Sequence, residues 1–179
     1  ASTTRRIAKD MLRKQLKPTN KSQQMIVNNY ETISKISKNQ HDTLTIDSLL
    51  NIHHSIVNKT LDNSEDEGVF RKNDEIYVVD GITGDVAHTP PSYQEINQMI
   101  SELCDFANND NDDNFIHPIV KGIIIHFVLA YIHPFVDGNG RTARSLYYWY
   151  MIRKGYWLTE YLSISRIIYT HKNAYEKAF

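Results

Sequence analysis

His117-Pro-Ile-Val-Lys-Gly-Ile-Ile-Ile-His-Phe-Val-Leu-Ala-Tyr-Ile-His-Pro-Phe-Val-Asp-Gly-Asn-Gly-Arg-Thr-Ala-Arg144 is the stretch on which the fold turns. From Pro118 to about Ile132 it is apolar nearly all round, and such a helix belongs in the centre of a bundle rather than on its rim. Pro134 ends that helix. A second one, Thr142 to Lys154, carries Leu146, Tyr147, Trp149, Tyr150 and Met151 and stops at Gly155, as a helix C-terminus does.

Outward from this pair the pattern stays helical. Met25, Ile26, Tyr30 and Ile33 recur at three- and four-residue steps after Ser22, read as an N-cap, and predict a helix to about Lys38. Ile46, Leu49, Leu50, His53, Ile56 and Val57 mark another. Ser92-Tyr-Gln-Glu95 reads as a capping box that opens a helix through Ile96, Ile100, Leu103 and Ala107. The one strand signal is Glu75-Ile-Tyr-Val-Val79. Asp80-Gly81 and Thr83-Gly84-Asp85 then turn it into a hairpin returning through Val86 and Ala87. Such a hairpin is marginal alone, so it reads as a flap on the helical body. Asn108 to Asn114 is a solvated loop. The expectation is an all-α bundle around a buried central helix, with one small β-hairpin flap.

At 179 residues the chain suits one compact domain. Within it, residues 1–40 form an N-terminal helical segment and 41–179 the core. The chain opens without methionine and stops inside a helical pattern, which reads as a fragment trimmed upstream. With 41% hydrophobic and 23% charged residues it excludes disorder and coiled-coil composition. A net charge of -1 removes the broad cationic field of a protein that coats nucleic acid or an anionic membrane, so any anion must be held locally. No apolar run reaches the roughly 18 residues that span a bilayer. The single cysteine, Cys104, forms no internal disulfide, and the expected setting is cytoplasmic.

Residues 133–144 supply the local anion site. Gly138 and Gly140 bracket Asn139 just before a helix, which lets backbone N–H groups turn toward one point at the positive end of the helix dipole. Arg141 and Arg144, three residues apart, share a face of the first turn. Cations are disfavoured there, and two of them are costly unless a di- or triphosphate offsets their charge. Asp137 beside that anion would repel it unless Mg²⁺ intervenes, so Asp137 is the candidate metal ligand; its blander role is a helix cap or a salt bridge to Arg141. His133 is the candidate general base, with an ordinary pKa near ~6.5 that suits removal of a hydroxyl proton. Phe135 anchors the loop in the core. No Walker A sequence and no kinase signature set occurs.

The run from His133 to Arg144 resembles the Fic motif, His-Pro-Phe-x-Asp/Glu-Gly-Asn-Gly-Arg-x-x-Arg, at every specified position. The resemblance extends through Gly68-Val-Phe-Arg71, the hairpin and His88-Thr-Pro-Pro91, and covers roughly Ile46 to Ile168. It implies a mostly helical Fic-type core that transfers AMP from ATP to a Ser, Thr or Tyr hydroxyl of a target protein. It implies His133 as base and Asp137 on Mg²⁺. The amides around Gly138, Asn139 and Gly140 would cradle the α- and β-phosphates, with Arg141 on the β- and Arg144 on the γ-phosphate. The flap, Glu75, Ile76, Tyr77, Val78 and Val79 onward, would hold the target by strand addition.

Phosphorylating relatives carry Ala-Asn-Lys where Gly138-Asn-Gly140 stands here, which favours AMP transfer. The family's inhibitory Ser/Thr-x-x-x-Glu-Gly/Asn segment has no match: Glu67-Gly68 comes closest, with Asn63 in the hydroxyl position. Met25 to Ile33 resembles the helix that follows such a segment, so the inhibitory element is expected upstream or on a partner. Two alternatives stand beside AMP transfer. One is a silent Fic module that binds nucleotide or a partner; the other is a transferase using a different donor, such as one supplying UMP or phosphocholine. His53, His54, His117 and His126 match no ligand spacing and read as structural. His88 reads as a brace for the flap, Arg71 as a salt bridge at its base, and the Tyr147-to-Tyr150 run as core packing. The basic arm Arg5, Arg6, Lys9, Arg13 and Lys14 reads as a solvated face.

Overall fold

A computed structural model of the chain describes residues 5–39, 41–79, 83–109 and 115–177. The Asp80-Gly81 turn, most of the Asn108 to Asn114 loop, Ala178, Phe179 and the side chains of Arg5, Arg6 and Lys9 lie outside the described residues. In chain order come α1 (Arg5–Lys14), α2 (Lys21–Lys38), α3 (Ile46–Val57), β1 (Val78–Val79), β2 (Val86–His88), α4 (Ile96–Asn108), α5 (Pro118–Ile132), α6 (Asn139–Arg153), α7 (Ile164–Thr170) and α8 (Lys172–Lys177). The fold is therefore all-α with one antiparallel hairpin.

α5 and α6 form the most extensive pair, α4 packs on the other side of α5, and α2 and α3 pack on α6. Gly122 is what lets α5 and α6 close up: a Cβ there would come within 3.1 Å of Met151 Sδ and 3.2 Å of the Tyr147 ring. The core joins Ile125, Leu129 and Ile132 of α5 to Leu146, Trp149 and Tyr150 of α6 and to Leu49, Ile100, Leu103 and Phe135. Tyr148, Trp149 and Tyr150 are buried packing residues, and the Tyr148 hydroxyl donates to the Leu162 carbonyl.

Several local expectations need correcting. Burial of α5 all round is met only on the sides facing α4 and α6; the third face leaves Val120 50% and Ile123 54% exposed, because two flanking helices do not encircle a cylinder. The N-cap of α2 is Asn20, whose side chain accepts from the Gln23 N–H at 3.0 Å, and Ser22 lies inside the helix. The Ser92/Glu95 capping box is only half present: Ser92 is the N-cap of a 3-10 turn, Tyr93–Glu95, and accepts the Gln94 N–H at 3.4 Å while its hydroxyl donates to the Asp74 carboxylate at 3.1 Å. β1 is two residues long rather than five, and its register to β2 is irregular. α6 begins at Asn139, three residues early, because the Asn139 side chain is buried and bonds both the N–H (2.9 Å) and the carbonyl (2.7 Å) of Phe135.

The two faces of α5 predict opposite outcomes for similar truncations. Leu129→Ala removes a fully buried side chain and should cost ~2–5 kcal/mol, whereas Ile123→Ala should change stability by less than about 0.5 kcal/mol. Urea denaturation of the two variants checks this, and equal losses would contradict the assignment of faces.

Candidate active site

His133 ends α5 in a left-handed conformation (φ 49°), which turns the chain sharply out of the helix. Its Nδ1–H donates to the Ala130 carbonyl at 3.2 Å, so in the neutral ring the Nε2 lone pair stays available. Burial, joined by the nearby His88 and Arg71 charges, pulls its pKa below the ordinary value of 6.5. Arg71 holds the same turn from behind. Its backbone N–H donates to the Pro134 carbonyl (2.8 Å) and its Nε to the His133 carbonyl (3.0 Å). The rest of the guanidinium reaches the Asn73 carbonyl and the Asp74 carboxylate (2.8 Å each) and the Pro91 carbonyl. One buried side chain thus ties both ends of the flap segment to the backbone of His133.

Gly138 (φ 85°) starts α6, and the bend brings it against α3, where an added Cβ would lie 2.5 Å from Val57 Cγ1. Its N–H is taken by Asp137 Oδ1. The next three N–H groups, of Asn139, Gly140 and Arg141, have no acceptor among the described residues and sit at the positive end of α6. Arg141 donates from Nη1 to Thr60 Oγ1 (2.9 Å) and from Nη2 to Asp137 Oδ2 (3.1 Å). The salt bridge weighed from sequence for Asp137 is therefore present, with the carboxylate itself 61% exposed. Arg144 makes no hydrogen bond or carboxylate ion pair among the described residues, and burial pulls its pKa below the usual guanidinium range without discharging it. It lies close to Tyr175 and Tyr148.

These residues meet in an open cleft of about 280 Å³ lined by His133, Asp137, Gly138, Asn139, Gly140, Arg141 and Arg144. An adjoining groove of about 380 Å³ runs from His133 and Gly140 to Val78 and Val79 of the flap, with Tyr175 on its wall. Glu75, Ile76 and Tyr77, expected with the flap strand, lie outside β1 and line neither space. His88 braces the flap by bonding the Tyr131 carbonyl at 2.8 Å. Thr60 and Tyr175 were not legible as neighbours of the motif: Thr60 follows a featureless Asn58-Lys59, and Tyr175 reaches the site from α8, where its hydroxyl pairs with His126 Nε2 at 2.9 Å.

For Mg²⁺ the donor set is one carboxylate. Among the described residues no group of three or more His, Cys, Asp or Glu side chains gathers to hold a metal. One carboxylate still fits this ion, which takes one or two together with substrate phosphates and waters. Cys104 is a free, buried thiol with its pKa raised to about 11 by desolvation, hence inert. No described helix is long and apolar enough to cross a membrane.

A left-handed turn at His133, a glycine-started helix and a flap beside it thus frame the cleft. The Fic/DOC family profile matches residues 43–151, and the chain belongs to that family. Protein adenylyltransferase fic-1 of Caenorhabditis elegans is 33% identical over 123 residues, 69% of this chain and 22% of that protein. Protein adenylyltransferase Fic of Nematostella vectensis is 30% identical over 115 residues, 64% of this chain and 24% of that protein. The chain spans about a quarter of the length of these curated relatives. A Fic family protein from Desulfovibrio desulfuricans superposes with a TM-score of 0.79 at 22% identity, covering 98% of this chain and 50% of that one. A Fic domain containing signaling protein from Bacteroides thetaiotaomicron gives 0.71 at 23% identity, over 86% and 58%. Both structures share the fold.

Gly138→Ala should lower the melting temperature by ~4–8 °C, since strain at a left-handed residue and the Val57 clash together cost at least ~2 kcal/mol. Gly84→Ala, at φ 77° with open space around it, carries the backbone strain of ~1–2 kcal/mol alone and should shift the transition less. Thermal melts read by circular dichroism test the difference, which vanishes if Gly138 is not seated against α3.

Proposed function

We propose that the chain is a protein adenylyltransferase that moves AMP from Mg-ATP to a Ser, Thr or Tyr hydroxyl of a target protein. The observation that carries this reading is Arg144: a part-buried cation that meets no carboxylate among the described residues, one turn from Arg141 and beside three N–H groups with no acceptor among those residues. An uncompensated positive charge at a helix N-terminus is stabilised by a polyanion more than by any neutral ligand. The motif and the names of the relatives favour ATP as that polyanion.

On this reading Asn139, Gly140 and Arg141 present their N–H groups to the α- and β-phosphates, Arg141 pairs with the β- and Arg144 with the γ-phosphate. Asp137 would hold Mg²⁺, which when bound neutralises phosphate charge. The target hydroxyl enters the groove lined by Val78 and Val79, where strand addition to the flap would hold the target. Its oxygen attacks the α-phosphorus, its proton passes to Nε2 of His133, and the bond to the oxygen bridging the α- and β-phosphorus breaks. Pyrophosphate leaves with the bonding pair, held by the two arginines. Because the His133 pKa is depressed, the base is already neutral near pH 7. A carboxylate from a partner or another segment that paired with Arg144 would block this site. The inert Cys104 fits the reducing, cytoplasmic setting assumed here.

Incubation of the chain with ATP labelled at the α- or the γ-phosphate tests the reading. Transfer of the α-label to protein, reduced ~10²–10⁴-fold in His133→Ala, is expected. Transfer of the γ-label alone makes the protein a kinase, and ATP binding without transfer makes it a silent module; either outcome overturns the proposal. The rate should rise with pH through an apparent pKa below 6.5 and be flat from about pH 7 to 8, because the base works deprotonated and its pKa is lowered. An acid limb centred above 6.5 would contradict the role given to His133.

A further inference from the structure

His53 belongs to no motif and lines neither the cleft nor the adjoining groove, yet three segments meet on it. It sits fully buried on α3. Its ring stacks on Phe135 with centroids 3.7 Å apart and planes within 1°. Its Nε2 lies 2.9 Å from the Asp137 carbonyl, and its Nδ1 accepts the Gly68 N–H at 2.9 Å. A carbonyl on one nitrogen and an N–H donor on the other leave one neutral tautomer, with the proton on Nε2.

The Asp137 carbonyl belongs to the peptide that leads into the turn at Gly138, so its direction sets how the chain enters that turn. In a planar trans peptide C=O and N–H point opposite ways, so a carbonyl held inward on His53 aims the Gly138 N–H outward, where Asp137 Oδ1 receives it. Gly138 then takes its left-handed turn with its α-carbon against the same imidazole edge; an added Cβ would be 3.2 Å from His53 Nε2. From that turn the free N–H groups of Asn139, Gly140 and Arg141 take their direction. The other nitrogen fixes Gly68, three residues ahead of Arg71 and the flap.

We propose that His53 is a positioning residue: its Nε2–H bond to the Asp137 carbonyl orients the amide cradle at the start of α6, while its Nδ1 ties the entry to the flap to that same cradle. The inference rests on the reading of the 137–144 loop as a nucleotide site for its effect on nucleotide affinity, but the orientation of the amides can be measured without any nucleotide.

Two amide substitutions separate the two bonds. His53→Gln places its Nε2 where the imidazole Nε2 stood and keeps the donor to Asp137. His53→Asn places its Oδ1 where Nδ1 stood and keeps only the acceptor for Gly68. In ¹⁵N-labelled protein without nucleotide, the imidazole of the native chain should show its proton on Nε2. The backbone resonances of Gly138, Asn139 and Gly140 should move in His53→Asn and be restored in His53→Gln, with Gly68 behaving the opposite way. In steady-state assays, KM for Mg-ATP should rise ~10-fold or more in His53→Asn and stay within about 3-fold of native in His53→Gln, at similar melting temperatures.

A proton on Nδ1 in the native chain overturns the proposal whether or not either variant folds. So does an equal loss of affinity in both variants that merely tracks their melting temperatures. If the native chain neither binds nor turns over ATP, the nucleotide reading fails, and the resonance pattern still decides the role of His53.

Discussion

The approach of Gly138 to α3 is the constraint on which the rest of the structure depends. α5 must end and α6 must begin within six residues, and α6 must start pressed against Val57 and His53 with no room for a Cβ. Everything around the bend serves that geometry. The buried Asn139 side chain clips the loop to Phe135, Phe135 stacks on His53, and Arg71 grips the His133 and Pro134 carbonyls from the flap side. Buried polar groups are costly unless satisfied, and here each of these satisfies backbone groups that the bend would otherwise strand.

The electrostatics of the cleft follow from the same bend. A net charge of -1 gives the molecule no general attraction for phosphate, so attraction has to be concentrated. The turn at Gly138 does this by pointing three N–H groups and two arginines toward one cleft at the positive end of α6. Arg141 is partly compensated by Asp137 and oriented by Thr60; Arg144 meets no carboxylate among the described residues. That asymmetry is the basis for treating the cleft as a polyphosphate site rather than a structural ion-pair network.

Much of this was legible in the sequence, and the remainder has identifiable physical reasons. The α5 and α6 helices and the loop between them could be read because apolar periodicity, Pro134 and the glycine spacing are all local signals. Arg71 forms the salt bridge expected at the flap base, with Asp74, and His53 is buried on its helix; what local pattern could not supply was the loop partners of His53, Thr60 and Arg71, about 60 to 85 residues away along the chain. Where local rules misled, a long-range competitor won. Ser92 caps its turn as its composition suggests, but Asp74, itself held by Arg71, takes the Tyr93 N–H, and the turn is 3-10 rather than the first turn of α4. The strand read from Glu75 shrank to two residues because its first half follows a turn built on Asn73, whose side chain accepts the Glu75 N–H. α6 starts three residues ahead of the Thr142 that composition suggests, because two glycines around one asparagine lack helical character of their own and the Asn139 side chain, bonding back to Phe135, supplies the constraint.

The claim at the centre is the proposed role of Arg144, which meets no carboxylate among the described residues, as the partner of the end of a polyphosphate. Isothermal titration calorimetry of the native chain and Arg144→Ala with Mg-ATP and with AMP tests it most directly. The account predicts that the native chain binds ATP well ahead of AMP, and that Arg144→Ala loses ~10–100-fold of ATP affinity with little change toward AMP, the loss expected of one charge-assisted bond. Equal affinity for ATP and AMP in the native chain, or a loss in Arg144→Ala that is the same for both, would contradict it.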